Sequence, residues 1–383
     1  MKIKTNRIIA VAGVVALAAS ALGYAGAAEA KTAKPVNKTI HVFLSADTNI
    51  QVLWEQKLVP AFVAANPGYK VDVVLDLHGA HDAQTTAKIT AASITKKDPG
   101  YDVIDGGFVA NLGDSALLVK PTSKLIPNLK DVPATLIDQG HGGGIPYRGS
   151  SVLLAYNSSK VTSAPKTFDD LITWIKANPG KFTYNTPASG GSGKSFVTAA
   201  VDKYTSAADR TKMANDYLPE LETNWTQGFD LLASLNPYVY QKGVYPTGNA
   251  AILNLLASGE ISMAPVWSDQ FNTGLDNGTI PNTIKTTQIS GPSMTGGAAF
   301  IGVPKASPRQ AAAEKLVNFV LSAAGQEIIA TQMNGYPVID LAKVSPATRG
   351  KFIDADIPHL RAPLYSTMGT DLANQWATKV PGK

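Results

Sequence analysis

Leu58-Val59-Pro60-Ala61-Phe62-Val63-Ala64-Ala65-Asn66-Pro67-Gly68-Tyr69-Lys70-Val71-Asp72-Val73-Val74 joins an amphipathic segment, a stop signal and a β-rich run in direct succession. Leu53, Trp54, Leu58, Phe62 and Ala65 recur near helical spacing, and Asn66-Pro67-Gly68 ends the helix. Val71, Val73, Val74 and Leu75 then supply a strand, and the earlier run Thr39-Ile40-His41-Val42-Phe43-Leu44 supplies another. The chain therefore opens as a β-α-β unit. Such units build parallel sheets whose ligands sit at the carboxyl ends of the strands.

The same grammar continues downstream. Asp102-Val103-Ile104-Asp105-Gly106-Gly107-Phe108 is a short strand that stops at two glycines, where backbone can approach a ligand closely. Gly144 to Gly149 reads as a crossing point from which the strand Ser151 to Asn157 emerges. Thr167-Phe168-Asp169-Asp170 caps a helix through Trp174 and Ile175, which stops at Asn178-Pro179-Gly180 before an expected strand, Lys181 to Asn185. Ser307-Pro308-Arg309-Gln310 reads as a capping box opening a helix over 311–320.

The sequence of 383 residues begins with Lys2, Lys4 and Arg7, an apolar run from Ile8 to Leu22, and Ala28-Glu29-Ala30. These features predict a secretory signal over 1–30, cleaved near Ala30, and a polar, Pro-broken leader over 31–37. The remainder fits two domains of about 150 residues or slightly more each. There is no cysteine, so disulfides, thiolate metal sites and a lipid-bearing Cys are excluded. The net charge of +5 is dispersed, without a Lys/Arg cluster interleaved with aromatics; no nucleic-acid partner is expected.

A strand ending Gly302-Val303-Pro304-Lys305, a helix carrying Lys315-Leu316-Val317-Asn318-Phe319, then Gly325-Gln326-Glu327 and Tyr336-Pro337 follow the opening β-α-β unit in order. This succession resembles the bacterial extracellular solute-binding proteins, the receptors of ABC importers, in particular those for polyamines, thiamine and iron. The resemblance implies an α/β fold of two lobes, each a mixed sheet flanked by helices, joined by crossing hinge strands near 144–149, 296–299 and 335–337. It places 38–147 and 298–334 in one lobe and 148–297 and 335–383 in the other. It further implies a monomeric receptor in a Gram-negative periplasm, not a lipoprotein, whose partners are a small polar solute in the cleft (a polyol or sugar, a zwitterion or a small anion) and an ABC permease.

Candidate ligand groups cluster at strand ends. Thr186 to Ser195, ending Gly193-Lys194-Ser195, has Ala188 where a phosphate-binding P-loop needs its first Gly. Its expected open N–H groups at a helix N-terminus, with Ser189, Ser192, Ser195 and the Lys194 ammonium, suit an anion or a polar oxygen, while the plain alternative is a Gly/Ser turn. Ser45, Asp47 and Thr48 hold the corresponding place after the first strand, with an N-cap as their structural role. Gly107 adds exposed backbone. Tyr147 and Arg148 lie at the first crossing, where Arg could clamp a carboxylate or phosphate or pair with an acid to hold the hinge. In Met263 to Gln270, Trp267 could stack on a ligand and Asp269 accept from it, or the two could be a core Trp and a solvated Asp. Tyr245, with Tyr240 and Asn249, and Tyr336 extend the candidate wall. His78 and His81 are spaced for zinc, but no third ligand lies nearby in sequence, so no metal and no cofactor are expected.

A nucleophile-elbow Gly-x-Ser-x-Gly, a zinc-protease His pattern and a legible carboxylate pair are not found in the sequence. The expectation is binding without catalysis; the alternatives are a secreted hydrolase or a receptor feeding a sensor kinase.

Overall fold

The computed structural model describes residues 38–352 and 360–381. The expected signal and leader, 1–37, lie outside the described residues. Strands β1 (Thr39–Ala46) and β2 (Lys70–Leu77) pair in parallel over their full length, Thr39 opposite Lys70 and Ala46 opposite Leu77. Between them the chain is helical over Thr48–Leu53, widens to a π-helical turn at Trp54–Leu58, and returns to α-helix over Val59–Ala65. The wider turn falls where Pro60 has no N–H to donate to the preceding turn. Asn66 ends the helix by donating its Nδ2 to the Phe62 carbonyl at 2.9 Å, and Gly68 at φ +88° makes the turn that an L side chain resists.

Strand β3 (Val103–Asp105) joins β1 in parallel, and β7 (Gly296–Gly302) pairs antiparallel with it. The 13-residue β4 (Ile145–Asn157) then changes partners along its length. Its first half pairs with β7, from Ile145 opposite Ile301 to Ser151 opposite Gly296. Its second half pairs with β5 (Met263–Trp267) and β6 (Ile284–Thr287). The expectation of two sheets is thus modified: one seven-stranded sheet, ordered β2-β1-β3-β7-β4-β5 with β6 also on β4, runs through the shared strand.

Apolar side chains still collect at two ends. Ile40, Val42 and Leu44 alternate along β1 into a cluster with Trp54, Phe62, Leu316 and Val317, while Phe43 points to the opposite face against Ile104 and Phe108. At the other end Val152 and Leu154 face Phe168, Phe196, Trp225 and Trp376, and Ala155 faces Ile252 and Phe271. Both halves of the sheet are therefore covered on both faces, the arrangement that mixed α/β sheets require. Val338, Ile339 and Val344 pack in the first cluster, and Met368, Leu372 and Val380 in the second.

The three expected crossings lie side by side. Residues of β4 and β7 form one ladder, and Gly149 and Tyr336 exchange both backbone hydrogen bonds at 2.8 Å. Thr167 caps the Phe168–Ala177 helix with the reciprocal Thr167/Asp170 box. Two expectations are corrected. Lys181 to Asn185 is not a ladder strand: the Lys181 carbonyl accepts from the N–H groups of both Ser262 and Met263 and the Phe182 carbonyl from Tyr240, with one bridge from Phe182 to Met263. The capping box at Ser307 does not form either; the helix begins at Gln310, and the Ser307 hydroxyl accepts from the Arg309 N–H at 3.0 Å while donating to the buried Asp102.

Candidate functional site

A cavity of about 380 Å³ opens where loop tips from the two ends of the sheet meet. Ser45 and Asp47 enter it from the end of β1, Arg148 and Ser150 from β4, and Trp267 and Asp269 from the end of β5. The loop 187–191 and Lys194 form the remaining polar wall. Placement at the carboxyl ends of β1 and β5 follows from the sheet, because side chains and free backbone emerge there together.

Behind this wall runs a chain of buried contacts. Trp54 Nε1 and the Tyr147 hydroxyl both donate to Asp105 Oδ2, at 3.1 and 2.6 Å. Arg148 Nε donates to the same Tyr147 oxygen at 2.7 Å, and its Nη1 lies 4.0 Å from Asp269 Oδ2. Ser150 Oγ donates to Asp269 Oδ1 at 2.7 Å. Burial pushes both carboxyls above the usual range, and the neighbouring Arg148 pulls each back down. Burial also drives the Tyr147 hydroxyl well above its ordinary range, so it stays protonated and serves as a fixed donor.

Asp47 occupies the N-cap position of the Thr48–Leu53 helix but makes no capping bond with its side chain. Its carboxylate accepts instead from Asn249 Nδ2 at 2.7 Å and Gln270 Nε2 at 3.0 Å, and faces His78 Nε2 at 2.9 Å. The two amides belong to elements packed at the other end of the sheet, so one carboxylate ties both walls together.

The glycine-rich stretch departs from its sequence reading. The helix begins within it, Gly191–Asp202, with Gly190 as N-cap. Two of its N-terminal N–H groups are taken within the protein: Ser192 donates to Asn249 Oδ1 at 3.2 Å and Gly193 to Asn185 Oδ1 at 2.9 Å. The Ser192 hydroxyl shares its proton between those same oxygens, at 2.8 and 2.7 Å. Two asparagines thus fill the place expected for an anion. A Cβ at Gly193 would lie 1.8 Å from the Asn185 carbonyl oxygen, which fixes glycine there. Lys194 escapes this packing and reaches the cavity. Burial lowers its ammonium below the ordinary range while Asp82 holds it up; burial pushes Asp82 itself up to about 6.

Among the expected ligand residues, Ser45, Asp47, Gly107, Arg148, Ser189, Lys194, Trp267 and Asp269 line the cavity. The others lie elsewhere. Tyr147, Ser192, Gly193 and Ser195 are buried behind the wall, with Ser195 Oγ accepting from the Thr295 N–H at 2.7 Å. Thr48 is the first residue of its helix. Tyr245 packs on Tyr184 and Trp376 and donates its hydroxyl to Asn236. The Tyr336 hydroxyl pairs with Ser151 Oγ at 3.0 Å while its ring packs on Phe352. Asn185, Gln270 and Asp82 were not marked by any motif. His78 and His81, spaced for zinc, are each engaged by an acid, Asp47 and Asp76.

The profile of the bacterial extracellular solute-binding protein family matches residues 57–350. The chain belongs to that family. The protein YnjB of Escherichia coli is 23% identical over 259 residues, spanning 65% of this chain and 66% of that relative's length. Among solved structures, an extracellular solute-binding protein from Bordetella parapertussis superposes with a TM-score of 0.67 at 19% identity, covering 90% of this chain and 99% of the other. The apo ferric ion-binding protein A of Pasteurella haemolytica gives 0.64 at 16% identity over 90% and 100%. The spermidine/putrescine substrate-binding protein PotD of Streptococcus pneumoniae gives 0.62 at 14% over 89% and 99%. At such identities these likenesses concern the fold, which is the two-lobed fold of periplasmic binding proteins.

Proposed function

We propose that this chain is an exported solute receptor that holds a small polar solute in the cavity beside Arg148 and Trp267 and passes it, enclosed, to an ABC permease. The carrying observation is the cavity's composition: polar tips from both ends of the sheet converge on one space, and Asp47 already bridges them through Asn249 and Gln270. A ligand contacting both walls stabilises the closed arrangement by its differential affinity for it. Residues 38–147 and 298–334, with Val338, Ile339 and Val344 packed in their core, move against 148–297 and the C-terminal helix carrying Met368, Leu372 and Val380 in this reading, about the crossing segments, with β4, β7 and the Gly149–Tyr336 pair as the hinge. The family assignment supports export to the periplasm, with the signal removed near Ala30. Binding here is by hydrogen bonds and stacking, with no bond made or broken in the solute.

Small-angle scattering and tryptophan emission of the mature chain test this reading, since Trp267 lines the cavity. A bound solute is expected to reduce the radius of gyration and shift the emission together. Tight binding that leaves both unchanged overturns enclosure between lobes.

A further inference from the structure

The charged groups around the cavity are unequally engaged. Asp47 accepts from Asn249 and Gln270, Asp105 from Trp54 and Tyr147, and Asp269 from Ser150. The two cations are not similarly matched. Among the described residues Arg148 makes a hydrogen bond through Nε alone, and its terminal nitrogens reach an acid only in the long 4.0 Å pair of Nη1 with Asp269. Lys194 Nζ has neither a hydrogen bond nor an ion pair within 4.0 Å among the described residues, and Asp82 acts on it from farther away. Partly buried cations whose N–H donors have no acceptor are costly, and the group that relieves that cost must carry acceptor oxygens and negative charge.

A second chamber of about 220 Å³ adjoins the first and shares Ser45, Gly107, Arg148, Ala298, Ala299 and Pro363 with it. Arg148 therefore stands on the wall between two spaces, and a solute held by it has room beyond a single inorganic ion. Building on the receptor reading above, we infer that the solute is an organic anion: its carboxylate or phosphate oxygens complete Lys194 and Arg148, and its body passes Arg148 into the second chamber. A cationic solute finds the cavity's acids already hydrogen-bonded and two cations facing it. A guanidinium whose terminal nitrogens donate no hydrogen bond among the described residues matches a two-oxygen face, and the ammonium supplies a third point of charge.

The test is isothermal titration calorimetry on the mature chain, unfolded and refolded to release any retained passenger. The probes are succinate, glycerol 3-phosphate, inorganic phosphate, glycerol and spermidine. Binding of succinate or glycerol 3-phosphate is expected, more tightly than inorganic phosphate and without measurable binding of glycerol or spermidine. Lys194→Met is expected to weaken that binding by roughly thirtyfold or more, with Lys194→Arg retaining part of it. Ala214→Phe, at the second chamber's wall, is expected to weaken the organic anion while leaving inorganic phosphate unchanged. Circular dichroism of each variant separates lost binding from lost folding, which matters most for Arg148 because of its place in the buried chain. Binding of spermidine or glycerol in preference to the anions overturns the anionic assignment but leaves the receptor reading standing, as does an unaltered affinity in Lys194→Met. Inorganic phosphate binding as tightly as either organic anion overturns the two-chamber part. Failure of every probe to bind overturns both.

Discussion

Replacing Tyr147 by Phe removes one oxygen from a fully buried ring and leaves its shape intact, so the effect isolates hydrogen bonding from packing. That oxygen donates to Asp105 at 2.6 Å and accepts from Arg148 Nε at 2.7 Å. Hydrogen bonds to charged groups contribute about 1.5–3 kcal/mol each, and part of the two is recovered by relaxation, so a loss of about 3 kcal/mol is expected at neutral pH. The pH dependence fixes the cause. Burial raises the folded-state pKa of Asp105 above its unfolded value, and the Tyr147 bond opposes that rise. A raised carboxyl contributes its stability fully below the unfolded pKa and loses it as pH climbs through the folded one. Removing Tyr147's hydroxyl raises the folded pKa further, so the extra destabilisation grows as pH climbs through that pKa and is expected to be larger at pH 7.5 than at pH 4. Below that pKa about 1 kcal/mol remains, from the Arg148 N–H left without its acceptor. Urea unfolding of both proteins at the two pH values, followed by tryptophan emission, measures this. An equal loss at both, or a greater one in acid, refutes the buried-carboxylate account.

Three further outcomes are expected. Asp102 is buried and accepts from Arg309 Nε at 2.8 Å, Ser307 Oγ at 2.5 Å and the His41 N–H at 2.8 Å; burial alone would raise its pKa, but these bonds outweigh it and hold the carboxyl below the ordinary range. Asp102→Ala should cost about 3–5 kcal/mol at neutral pH, and because a depressed pKa gives stability that is lost as pH falls through it, the gap to the wild type should narrow below about pH 4 in urea melts. Gly193→Ala places a methyl against the Asn185 carbonyl and should destabilise by about 3 kcal/mol in the same assay, whereas Gly350→Ala, with open space at its Cβ, should leave stability nearly unchanged. Asp47→Ala removes the acceptor shared by Asn249 and Gln270 and should favour the open form by about 1–2 kcal/mol, visible as a larger unliganded radius of gyration; an unchanged radius would show that this carboxylate does not hold the walls together.

The fold was legible wherever one segment's pattern sufficed to specify its structure. Alternation along 39–46 set which side chains of β1 face each cluster, and Thr167 with Asp170 carried its helix start unaided. Lys181 to Asn185 shows the limit. Its Phe, Thr and Tyr have strand propensity, but a strand needs a partner in register, and here Ser262 and Met263 both serve the Lys181 carbonyl while Tyr240, from a separate segment, serves Phe182. Likewise Ser307 has the composition of an N-cap, yet its hydroxyl takes only the Arg309 N–H two residues on and donates to the buried Asp102 carboxylate, 205 residues away, and the helix starts at Gln310. The continuity of the sheet through β4 was hidden for a related reason: nothing local in 145–157 says that its two halves pair with different strands.

The site divides along the same line, and the glycine-rich stretch shows why. Charged residues at strand ends, Asp47, Arg148, Lys194 and Asp269, were visible because charge is expensive to bury and must either pair or face a ligand. Amides carry no such mark. Asn185 reads in sequence as the end of an expected strand and Asn249 as part of a candidate wall, but in three dimensions their oxygens take the N–H groups of Gly193 and Ser192, and Asn249 then donates to Asp47 across 202 residues of chain. The Ser192 and Gly193 N–H groups that a phosphate would have used are taken by the protein's own side chains. The charge that the stretch contributes to the cavity, beside the 187–191 loop wall, is therefore the Lys194 ammonium, carried by a helix whose start is locked by two asparagines. This relocates the anion-recognising element from the helix terminus to the pair Lys194 and Arg148, and it makes Lys194→Met the substitution on which the ligand assignment turns.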